Sequence, residues 1–152
     1  MYNYKTYKDF SCQIEKILNS LMLKKYFNLV LIESQIPKNW QPYNCSDSKD
    51  IFEFNHECNE VYSGDYFVFD TDFEMFIFAN IVLRNLESQI KSQFIDEHFI
   101  IYFSAWTVSK NQENNPYFNI WVYQKNEYSK EFCYPEDNFA SKSMNFVEII
   151  EF

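Results

Sequence analysis

Residues 65–108 hold the pattern that most restricts the fold: an aromatic run, a long amphipathic stretch and a second apolar run. Tyr66-Phe67-Val68-Phe69 reads as a strand, and the Asp70, Thr71 and Asp72 that follow are residue types that cap helix N-termini. Glu74 completes a Thr71-x-x-Glu74 capping box. Phe76, Ala79, Val82, Leu83, Leu86, Ile90 and Phe94 then recur at three- and four-residue steps, which draws one stripe down a helix. The run from His98 to Val108 is β-branched and aromatic and reads as a strand. The spacing predicts a helix from about Thr71 to Phe94, the longest in the chain. It should lie across an antiparallel sheet that contains 98–108 and 117–123.

The flanking sequence fills out this frame. Residues 6–27 read as a first helix with the stripe Phe10, Ile14, Ile17, Leu18 and Leu21. Leu29-Val30-Leu31-Ile32 fits either a buried strand or the last turns of that helix. Pro37, Trp40 and Pro42 impose a loop that runs on through the polar residues to Asp50. Ile51 to Phe54 reads as a short strand. Val61 to Tyr66 around Ser63-Gly64 reads as a tight hairpin, with Gly64 supplying a positive φ. Tyr117 to Tyr123 alternates as a strand and Asn145 to Phe152 reads as a last one, while 125–144 has no clear period. The whole is a single α+β domain over 1–152: a mainly antiparallel sheet of about five strands with two helices packed against it.

A single glycine in 152 residues excludes chemistry as well as shaping turns. Dinucleotide and P-loop motifs need several glycines, because a Cβ would block the approach of backbone to phosphate. Nucleotide cofactors of those classes are therefore excluded, and no cofactor is expected. Met1 to Lys8 is polar and aromatic rather than a charged-apolar signal segment, and no apolar run approaches the ~20 residues of a membrane span. A cytoplasmic protein is expected, with Cys12, Cys45, Cys58 and Cys133 as thiols.

Charge is the other strong asymmetry. The net charge is −9, yet residues 1–42 carry six lysines against Asp9, Glu15 and Glu33. Between 47 and 74 stand Asp47, Asp50, Glu53, Glu57, Glu60, Asp65, Asp70, Asp72 and Glu74, opposed by Lys49 alone. Phe52, Phe54, Tyr62, Tyr66, Phe67, Phe69 and Phe73 are interleaved with them. A surface of this sign repels nucleic-acid phosphates and anionic membranes, and it attracts basic proteins. Acids of one sign beside aromatic anchors form a plausible partner interface, with a solvated acidic face as the plainer alternative. Glu57, Glu60, Tyr62, Asp65, Tyr66 and Asp72 are the candidate contact residues.

A small, acidic, single-domain chain with this acidic-aromatic stretch resembles the bacterial immunity proteins of toxin–immunity pairs. The resemblance is one of type and implies a non-enzymatic inhibitor that occludes a basic, nuclease-type toxin, with carboxylates standing where substrate phosphates would lie. The same features suit a phage-type nucleic-acid mimic directed at a host defence nuclease.

Catalytic patterns are sparse. Phe67-Val68-Phe69-Asp70-Thr71-Asp72 resembles the D-x-D of haloacid-dehalogenase-like phosphatases and of some glycosyltransferases, where paired carboxylates hold Mg²⁺. The glycine-containing acidic motif those phosphatases need downstream is missing, since no glycine follows residue 64. Helix capping accounts for the same acids. Cys45, His56, Glu57 and Cys58 lack the C-x-x-C spacing of a zinc site, and His56, Cys58 and His98 sit in no nucleophile motif.

Overall fold

The computed structural model describes residues 4–26, 29–38, 54, 57–108, 115–125 and 146–151, the side chains of 4–10 and 146–151 excepted. Helix α1 (Tyr4–Ser20) leads into a two-stranded antiparallel sheet of β1 (Leu23–Tyr26) and β2 (Leu29–Ile32). A four-stranded sheet follows in the order β3 (Glu60–Tyr62), β5 (Tyr117–Gln124), β4 (Phe99–Trp106), β6 (Phe146–Glu151), antiparallel throughout. Helix α2 (Asp72–Gln93) connects the acidic segment to β4. The α+β class and the antiparallel pairing of 98–108 with 117–123 are as the sequence predicts. The strands divide between two sheets instead of forming one.

Helix α2 begins where the capping box places it. The Thr71 hydroxyl accepts from the Glu74 N–H at 3.2 Å, and the Glu74 carboxylate accepts from the Asp70 N–H at 3.2 Å. Met75, Phe78, Ala79, Val82, Leu86 and Ile90 are buried in one cluster with Phe99, Ile101, Phe103, Ala105, Phe118, Ile120 and Val122. These strand residues alternate along β4 and β5, so α2 covers one face of the sheet. No helix among the described residues is long and apolar enough to cross a membrane.

Several local expectations are corrected. The first helix stops at Ser20, and Leu23 to Tyr26 turn into a strand. The cause is tertiary: Gln89 of α2 accepts from the Leu23 N–H at 2.7 Å and donates to the Leu21 carbonyl at 3.1 Å. Tyr66 to Phe69 form no ladder. The Tyr66 and Phe67 N–H groups both turn back to the Ser63 carbonyl at 3.0 Å. Phe67 and Phe69 are instead held by their rings, 4.7 and 5.6 Å from Phe78. No hairpin forms at Ser63-Gly64: Ser63–Asp65 is a single 3₁₀ turn, and β3 pairs with β5. Gly64 has no positive φ; a Cβ there would stand 2.5 Å from the ring of Tyr62. Phe54 has helical backbone, and the rest of the strand expected at 51–54 lies outside the described residues.

Two buried side-chain amides, of Asn59 and Gln124, join the two sheets, and a third, of Gln89, ties α2 to the small hairpin. Asn59 accepts from the Ile32 N–H at 2.8 Å and donates to the carbonyls of Val30 and Val122 at 2.9 and 3.0 Å. Gln124 accepts from the Val30 N–H at 3.1 Å, and Gln89 serves Leu23 and Leu21 from the opposite side. Edge groups of the small hairpin that would otherwise be buried without partners are thus satisfied by side chains.

Cys12 and Cys58 are thiols, and Cys58 donates to the Gln35 carbonyl at 3.7 Å; Cys45 and Cys133 lie outside the described residues. Alkylation of the unreduced native protein should label the exposed Cys12 quickly and the buried Cys58 only on denaturation. Intact mass should then show four modified cysteines. A count of two would mean a disulfide and an oxidising compartment.

Candidate functional surface

The end of β3, the start of β5, the end of β4 and the N-terminus of α2 meet at one pole of the domain. Tyr62 is in register with Asn119, and Trp106 with Tyr117. The Ser63 hydroxyl accepts from the Phe118 N–H at 2.9 Å, and the Asp72 carboxylate accepts from the Val108 N–H at 2.8 Å. The segment 63–71 runs between these points, so the described part of the acidic stretch borders this pole.

An aromatic row crosses three strands there, on the face opposite α2. Tyr62 meets Tyr117 edge to face at 5.8 Å, and Tyr117 stacks on Trp106 at 4.6 Å with an interplanar angle of 15°. Tyr62 is 39% exposed, and Trp106 and Tyr117 are half-buried. The lone glycine of the chain gives the Tyr62 ring its space. Farther along the same face Tyr102 and Tyr123 are buried, edge to face at 5.5 Å.

The acids differ in what holds them. Glu57 and Asp65 are exposed, and Glu60 is half-buried and accepts from the Asn119 amide at 3.1 Å. Burial pushes the Glu60 carboxyl above the ordinary glutamate range, and the Asp65 charge raises it further. Ion pairs among the described residues, Lys24–Glu33, Lys25–Glu97 and Lys91–Glu87, all lie elsewhere. Glu74 is engaged in the α2 cap, and Asp72, an acid in the first turn of α2, turns its carboxylate to the Val108 N–H. No group of three potential metal ligands occurs among the described residues.

Glu60 therefore sets a pH dependence. A carboxyl raised in the folded state contributes stability that is present below its unfolded pKa and is lost as pH rises through the folded pKa. Glu60→Gln, which keeps an acceptor for Asn119, should melt higher than the parent at neutral pH. Below the ordinary glutamate range, where Glu60 is protonated, the two curves should coincide. Thermal melts at both pH values check this.

Of the six candidates, Glu60, Tyr62 and Asp65 come together beside the aromatic row, and Glu57 precedes β3 by one helical turn. Tyr66 turns inward and packs against the main core, and burial raises its hydroxyl pKa. Asp72 is committed to Val108. Asp47, Asp50 and Glu53 lie outside the described residues. Sequence reasoning did not find Trp106 and Tyr117. The signal was present, since antiparallel pairing of the two aromatic strands brings same-face rings into register. Comparison with protein-family models, curated proteins and solved structures found no match to this chain.

Proposed function

We propose that this chain is an acidic protein-binding inhibitor that neutralises a basic partner, in the manner of an immunity protein facing a nuclease-type toxin in the cytoplasm. The observation that carries this reading is the row Tyr62–Tyr117–Trp106 beside the carboxylates of Glu60 and Asp65, with Glu57 exposed just before β3. Among the described residues, no lysine or arginine pairs with any carboxylate between 57 and 74. Rings offer area for cation–π and apolar contact, and unpaired acids give orientation and fast encounter. Glu60 is held at a cost from burial and from Asp65, which an arginine or lysine from the partner would relieve.

The test is neutralisation of the protein encoded by the adjacent gene. Co-expression with this chain should abolish that protein's toxicity and yield a complex on co-purification. Tyr62→Ala should weaken the complex by about tenfold or more, as for an aromatic anchor. A neighbouring product that is acidic, non-toxic or unbound would remove the reading.

A further inference from the structure

An apolar patch continues this pole onto α2. Phe73 is 73% exposed and Ile77 42%, and as i, i+4 neighbours they lie together on the helix surface facing away from the core. Val68 is 74% exposed just before the cap, and the Asp72–Val108 hydrogen bond brings the exposed Val108 to the first turn. Four exposed large apolar residues gathered near the start of α2 suit a contact site. The residues beside it along the chain, from Val68 into α2, are acidic. Asp70 and Glu74 flank Phe73, and no lysine or arginine occurs from 50 to 83; Arg84 closes the stripe two turns beyond Ile77.

We infer that the Val68–Phe73–Ile77–Val108 patch docks a cationic amphipathic segment of the basic partner, its apolar stripe on Phe73 and its lysines or arginines toward Asp70 and Glu74. This rests on the proposed function and adds the anchor and the chemistry of the contacting element. Charge decides the occupant. A second copy would bring the same acids against Asp70 and Glu74, and an anionic membrane would be repelled; a cationic segment satisfies rim and centre together.

The probe is a leucine–lysine peptide that forms an amphipathic helix, with two controls: the same composition scrambled to remove the apolar stripe, and a leucine–glutamate analogue. Titration into ¹⁵N-labelled full-length protein should shift the amides of 70–78 and 108, and the controls should not. Phe73→Ser with Ile77→Ser, both at exposed positions, should weaken binding by about tenfold or more. Asp65→Lys should leave this peptide bound while weakening the whole partner, so the patch and the wider inhibitor reading fail separately. Four results would overturn the inference: equal binding by the scrambled peptide, binding unaffected by the double substitution, no binding up to about 100 µM, or self-association that the double substitution abolishes.

Discussion

Asn59→Ala is expected to destabilise the domain by about 3–5 kcal/mol, on the order of a third to a half of the stability of an ordinary small domain. The side chain is 1% exposed and serves three backbone groups: the Ile32 N–H and the carbonyls of Val30 and Val122. Each buried group left without a partner costs ~1–3 kcal/mol, with some relief from water entering the vacated space. Asn59 also bonds through its own carbonyl to the Val122 N–H at 3.1 Å, and alanine keeps that bond. Asn59→Asp separates hydrogen bonding from volume. It preserves the acceptor for Ile32 but turns a carboxylate onto two carbonyls, so it should be at least as damaging as alanine. Urea titration should move the midpoint of both variants down. An alanine variant within about 1 kcal/mol of the parent would mean that the amide does not join the two sheets.

Phe78→Ala should cost a comparable ~3–5 kcal/mol, the usual range for removing a buried phenylalanine. Phe78 is fully buried, and its ring lies near three others: Phe67 at 4.7 Å, Phe69 at 5.6 Å and Phe118 at 5.9 Å. It ties α2 at once to β5 and to the ladder-free segment before the helix. Loss of the ring should therefore loosen 66–69 before the rest. Hydrogen exchange of that segment should accelerate more than exchange in β4. Phe78→Leu fills most of the space and should recover more than half of the loss.

Helix α2 shows where sequence reading succeeds and where it stops. Its start was legible because Thr71 and Glu74 act locally, through bonds to backbone groups three and four residues away. Its buried face was less so. Met75 to Ala79 are apolar without interruption, and periodicity alone chose Phe76 over Phe78, whereas the sheet receives Met75 and Phe78 and leaves Phe76 half-buried. The turn into β1 was not legible, since Gln89, far along the chain, terminates the helical run. The candidate surface divides the same way. Acid clustering was visible in the sequence, but the row through Tyr117 and Trp106 needed the register of two strands. The inward packing of Tyr66 and the bond of Asp72 to Val108 needed the core and the end of β4 to be placed beside them.

The most direct test of the acidic pole as an interface is surface plasmon resonance of the Glu57→Lys, Asp65→Lys double variant against the protein encoded by the adjacent gene, at low and moderate salt. Both side chains are exposed, so folding should change by less than ~0.5 kcal/mol per site. The expected result is a slower association rate with a flatter salt dependence, because steering by these charges is lost. Association and dissociation rates equal to those of the parent at both salt concentrations would show that the stretch is only a solvated acidic face, and would contradict the account.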